Sequence, residues 1–107
     1  MPQALTRRAL TATEVITSLA KLEGWRLSGD GAAVAIEKSF AFADFYQTMA
    51  FVNALAFIAH GQDHHPELIV QFRECLVRWR THDLGGLSKS DFDCAARVEA
   101  LLANARG

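Results

Sequence analysis

The chain has 107 residues, half of them hydrophobic and 21% charged, with a formal net charge of -1. That describes one soluble domain with a modest core, and the near-neutral charge excludes the basic footprint of a nucleic-acid binder. Two isolated cysteines exclude a disulfide framework, and no apolar run approaches the roughly 18 residues of a membrane span.

Residues Met1–Arg8 hold no apolar stretch of signal-peptide length. The expected location is therefore the cytoplasm, with Cys75 and Cys94 reduced and buried. Residues 1–107 are expected to form a single domain with an ordered core from about 11 to 102.

Thr11 and Glu14 have capping-box spacing, flanked by Leu10 and Val15 as a hydrophobic staple. Val15, Leu19 and Leu22 then mark a short amphipathic helix that Gly24 should stop. Trp25–Leu27, the Ser28-Gly29-Asp30-Gly31 turn and Ala33–Ile36 read as a β-hairpin whose second strand runs on to Phe40. Asp44, with Gln47 three residues later, caps a long helix that is expected to close at Gly61. This helix carries two apolar stripes: Phe45, Met49, Val52, Ala56 and Ala59, and beside them Phe51, Leu55 and Ile58. One sheet cannot cover both, so the Phe51-Leu55-Ile58 side is expected to meet another subunit.

After Pro66, Leu68, Val70 and Phe72 alternate with polar or outward positions, and Cys75, Val77 and Trp79 do the same, which indicates an antiparallel strand pair. His82 shares the parity of Arg78 and Arg80 if the strand persists that far. Gly85-Gly86 ends the run. Ser88 and Asp91 then open a last helix, with Leu87 and Phe92 as a staple and Phe92, Ala95, Val98 and Leu102 as its inner stripe. The order is αββαββα, and the natural architecture is α+β: a four-stranded antiparallel sheet with three helices packed on one face.

Function concentrates around Asp63-His64-His65-Pro66. Proline forces the residue before it into an extended conformation, so the histidine pair stands at an element boundary. Three of the four histidines, His60, His64 and His65, fall within six residues, and His82 follows where the later apolar run breaks off. A lone histidine at a helix end often only caps carbonyls, which is the simplest reading of His60. A metal site from His60, His64 and His82 is a rival, because the first two lie at i, i+4. Against it, Gly61 frays that turn and no glutamate stands where a zinc hydrolase needs one. General acid–base chemistry fits better: neighbouring imidazoles resist charging together, leaving an acid and a base side by side near neutrality. Asp63, Asp83 and Asp91 are candidates to orient an imidazole, and each could equally be a turn or cap residue. No nucleophile and no phosphate-binding loop is evident.

The intervals among these residues closely resemble the signature of the pterin-4a-carbinolamine dehydratase family. That signature is a charged residue, three more, His-His-Pro, five or six to an aromatic, nine to a histidine, and then an aspartate. Here it reads His60, His64-His65-Pro66, Phe72, His82 and Asp91. Gly24-Trp25, the run from Phe40 to Phe45, Thr81-His82 and Gly86-Leu87-Ser88 agree as flanks, so the resemblance extends from about Thr11 to Leu102.

The resemblance implies an enzyme that expels water from 4a-hydroxytetrahydropterins to give quinonoid dihydropterin, beside aromatic amino acid hydroxylases. It implies a homodimer or homotetramer with the long helix between subunits, and neither metal nor organic cofactor. It also implies catalytic roles for His64, His65 and His82, and a substrate site completed by His60, Asp63, Pro66, Trp25, Phe72 and Asp91. Some relatives serve instead as dimerisation or assembly modules on the same fold. Many members carry glutamate where this chain has His60, and tyrosine where it has Phe72. With Arg78 and Arg80 nearby, the exchange at residue 60 is expected to move the pH optimum downward.

Overall fold

Polar caps and apolar periodicity set the element boundaries in the computed structural model, which describes residues 8–106. The expectation about a leader segment falls on residues 1–7 and so lies outside them. Helix α1 spans Ala12–Leu19 behind a complete capping box. The Glu14 N–H donates to Thr11 Oγ1 at 3.2 Å, and the Thr11 N–H donates to Glu14 Oε1 at 2.9 Å. The helix ends one turn earlier than its stripe suggested, and Leu22 packs against the core from the following turn. Gly24 is favoured there by its φ of +85°, a conformation that residues with side chains rarely adopt.

Strand β1 (Arg26–Ser28) and β2 (Ala35–Ala41) form the expected hairpin, joined through a 3₁₀ turn at Gly31–Ala33. Helix α2 spans Phe45–Gln62, with Asp44 Oδ1 accepting the Gln47 N–H at 2.8 Å. Strands β3 (Glu67–Gln71) and β4 (Glu74–Trp79) follow, and helix α3 (Lys89–Arg106) ends the described chain. The sheet order is β1-β2-β4-β3 and every pairing is antiparallel. Among the described residues the expected αββαββα order and α+β class are therefore observed, with three helices on one face of a four-stranded sheet.

The core lies between that face and the helices. Ile36, Phe40, Cys75, Val77 and Trp79 come from the sheet, and Phe51, Leu55, Ala59, Phe92, Ala95 and Val98 from α2 and α3. Phe51 and Leu55 are thus inside their own chain, which overturns the expectation that this stripe faces another subunit. Helix α2 turns Tyr46 and Phe57 outward instead, at 84% and 82% exposure. Phe45 and Phe72, both exposed, stack on each other with ring centroids 6.3 Å apart. Among the described residues no helix is long and apolar enough to cross a membrane.

Candidate functional site

The C-terminus of α2 positions the histidine pair. The helix passes through Gly61 to Gln62, and Asp63 closes it in the left-handed conformation at φ +50°. The Asp63 N–H donates to the His60 carbonyl at 3.2 Å, and the His64 N–H reaches back to the Ala59 carbonyl at 3.1 Å. These are the two bonds of a Schellman motif, built here on aspartate rather than glycine. They satisfy the last carbonyls of α2 and turn the chain, so that His64 leaves the helix axis and points inward. Pro66 then starts the extended run into β3.

His64 is held on two sides. Its ring stacks on Trp79, with centroids 5.6 Å apart and planes 13° from parallel. Its Nε2 lies 2.6 Å from Asp91 Oδ1. Asp91 has 0% exposure, and its other oxygen accepts from the Ser88 N–H at 2.9 Å and the Thr81 hydroxyl at 2.7 Å. Thr81 Oγ1 and Ser88 Oγ are also 2.6 Å apart. The predicted capping pair at the start of α3 is therefore only half used as a cap. Asp91 reaches back to the Ser88 N–H, while the Ser88 hydroxyl turns to Thr81 and leaves the helix.

The remaining residues divide by place. His82 follows Thr81, and His65 follows His64, so both stand beside members of the Asp91 network, and both are exposed. β4 stops at Trp79, and His82 opens a 3₁₀ turn rather than extending the strand. His60 and Asp63 are exposed at the end of α2, and Pro66 is half-buried. Two of the expected substrate contacts lie apart from this group. Trp25, only 5% exposed, is in the core against Phe40, and its indole N–H donates to Glu99 at 2.9 Å. Phe72 lies in the turn beyond β3, and five strand residues put it roughly 17 Å from the histidine end.

Sequence reading missed Thr81 as a partner of Asp91, and Trp79 as the platform under His64. Trp79 read as a core position by its strand parity, and nothing local marks a hydroxyl whose partner is ten residues away. Both cysteines are buried, which raises their thiol pKa. Burial first, then Asp91 and Asp93, pushes Cys94 up to about 12, so neither thiol is a ready nucleophile. Among the described residues no three His, Cys, Asp or Glu side chains gather as a metal-ligand set, so the geometry does not assemble the His60-His64-His82 alternative.

A buried carboxylate holding an imidazole is an arrangement that can support proton transfer. The sequence profile of the pterin 4 alpha carbinolamine dehydratase family matches residues 8–101. The chain belongs to this family. A Paracidovorax citrulli protein provisionally named pterin-4-alpha-carbinolamine dehydratase is 62% identical over 91% of this chain and 84% of its own length. The solved transcriptional coactivator/pterin dehydratase of Brucella melitensis superposes with a TM-score of 0.81 at 31% identity, covering 88% of this chain and 98% of that one. A solved pterin dehydratase-like protein, identified as a RuBisCO assembly factor in the alpha-carboxysome, superposes at 0.62 and 30% identity over 74% of this chain and 89% of that one. The proteins this chain is similar to thus include ones named for dehydration and one named for assembly.

Proposed function

We propose that the protein catalyses dehydration of a 4a-hydroxytetrahydropterin by histidine general acid–base catalysis. The observation that carries this reading is His64 held on buried Asp91 at 2.6 Å, with His65 and His82 next in chain to His64 and Thr81. One imidazolium donates a proton to the 4a-hydroxyl, the C4a–O bond breaks, and water leaves. A neutral imidazole takes the proton from N5, and the C4a–N5 double bond of the quinonoid dihydropterin forms. The step balances as loss of one water and needs neither electrons nor a metal. His60, Asp63 and Pro66 lie at the same end of the fold and are assigned to the substrate's surroundings. Asp91 acts through His64, while Trp25 and Phe72 drop out of the site of the single chain.

In this reading the enzyme recycles a pterin cofactor in the cytoplasm, beside a pterin-dependent aromatic hydroxylase. It works as a homodimer or homotetramer whose contact covers the Tyr46 and Phe57 side of α2. That exposed aromatic side also favours a second reading, a non-catalytic module that docks another protein there. The assembly module has no use for the His64–Asp91 support, which favours the enzyme. A spectrophotometric assay of carbinolamine dehydration against the uncatalysed background decides between them. The enzyme accelerates the loss of water and a chelator leaves the rate unchanged; a rate equal to background leaves the docking module.

A further inference from the structure

Hydrogen counting around Asp91 fixes more than a contact. Oδ2 receives the Ser88 N–H and the Thr81 O–H, at 2.9 and 2.7 Å. Thr81 has one hydroxyl hydrogen, and it is spent on Asp91. The 2.6 Å contact between Thr81 and Ser88 must therefore be a donation from the Ser88 hydroxyl to Thr81 Oγ1. A carboxylate offers only acceptors, so the hydrogen between Oδ1 and His64 belongs to Nε2. The ring nitrogen not engaged with Asp91 is Nδ1.

Trp79 adds a second restraint. It has 0% exposure, and its indole N–H has no hydrogen-bond partner among the described residues. A buried donor left without a partner is unfavourable, and an aliphatic side chain in this strand position would avoid it. What the indole supplies in exchange is a flat face parallel to His64, which fixes the plane of the ring while Asp91 fixes its rotation within that plane.

The geometry points to Trp79, Thr81 and Ser88 as positioning residues that hold His64 in one plane and one tautomer, Nε2–H, so that Nδ1 is the nitrogen that exchanges protons with substrate. The use of Nδ1 rests on the dehydratase reading; the tautomer does not. Asp91→Asn is the sharpest probe. Its amide oxygen is drawn to the two fixed donors, Ser88 N–H and Thr81 O–H, which turns the amide NH₂ onto Nε2. That nitrogen must then be bare, and the ring proton moves to Nδ1, the wrong tautomer for the reaction.

Long-range ¹H–¹⁵N correlation spectra of labelled protein at alkaline pH, without substrate, read the tautomer directly. Wild type is expected as Nε2–H and Asp91→Asn as Nδ1–H. In the dehydration assay, Thr81→Val and Trp79→Leu are each expected to lower kcat about 10–100-fold with KM little changed, as for lost supports of a reacting ligand. Thr81→Ser restores the rate, and Ser88→Ala gives a partial loss with the fold retained. A wild-type Nδ1–H ring, or no change of tautomer in Asp91→Asn, overturns the inference. So do Thr81→Val and Trp79→Leu variants with wild-type rates. An Nε2–H ring in a protein that dehydrates nothing upholds the tautomer and overturns only the dehydratase reading.

Discussion

Among the described residues two carboxylates, Glu37 and Asp91, are buried, and their surroundings differ in kind. Glu37, on the sheet face away from the helices, is 7% exposed and lies between two arginines, with Arg26 at 2.8 Å and Arg78 at 2.9 Å. Arg78 carries the ladder on to Glu67 and to the Ser28 hydroxyl. Asp91, on the helix side, is held by a hydroxyl, a backbone N–H and an imidazole. Arginine stays protonated at every working pH, so the charge on Glu37 is permanently offset and the ladder can only hold strands together. The imidazole can gain or lose its proton, so the Asp91 network can take part in chemistry. A partner that can change charge is what makes the Asp91 network, and not the Glu37 ladder, the candidate site.

The largest expected effects separate these regions by rate. Loss of a positioned acid or base typically costs ~10²–10⁴ in rate, so His64→Ala, His65→Ala and His82→Ala should each slow dehydration by that order. Double variants should lose little more than single ones, because the rings serve one proton-transfer sequence. Additive losses would mean that the rings act independently.

Glu37→Gln should do the reverse, leaving the rate intact and lowering stability by about 1–3 kcal/mol, since a charged hydrogen-bond partner is lost from a buried place. Its pH dependence has a definite sign. The Ser28 hydroxyl first, then Arg26 and Arg78, hold the Glu37 carboxyl below its ordinary value against the opposing effect of burial. Its stabilising contribution is therefore full above the unfolded carboxylate pKa of about 4.3 and is lost as pH falls through the lower folded value. Thermal melts of wild type and variant should differ most at neutral pH and converge in acid. A constant gap would remove Glu37 ionisation as the cause.

A comparison within α2 tests which side is the core. Leu55→Ala should cost about 2–5 kcal/mol of stability, as a truncation at a fully buried leucine. Phe57→Asp should leave the fold of the single chain intact and, in the oligomer reading, give smaller species by sedimentation. The smallest effect is expected at His60, which is exposed at the end of α2. His60→Glu adds a carboxylate beside the histidine pair and should move the acid limb of the pH–rate profile upward, with the maximum rate little changed. An unmoved profile would place residue 60 outside the field of the reacting groups.

Much of this fold was legible because its caps are local. Thr11, Asp44 and Ser88 each announce a helix start, and period-2 alternation from Leu68 to Trp79 announces the strand pair. Three features were not legible. Helix α2 is apolar around most of its circumference, so periodicity could not say which of the two stripes, Phe51-Leu55-Ile58 or Phe45-Met49-Val52-Ala56-Ala59, faces inward; only the sheet decides. Gly61 looked like its stop, but the hydrogen bonds from Asp63 and His64 carry the helix one residue beyond it. The site was legible as a spacing of histidines, and the resemblance supplied their common setting. The sequence could nominate Asp91 as one of three orienting carboxylates. That it was the buried one depended on Thr81 and Ser88 closing over it, a tertiary fact.

The most direct test runs His64→Ala and Glu37→Gln side by side in one dehydration assay, with a circular dichroism melt on each. The account predicts that His64→Ala melts lower, because buried Asp91 loses a partner, yet below its melt it has lost activity by ~10² or more. It predicts that Glu37→Gln melts lower but, below its melt, turns over at the wild-type rate. Full activity in folded His64→Ala, or a comparable loss of rate in folded Glu37→Gln, would contradict it.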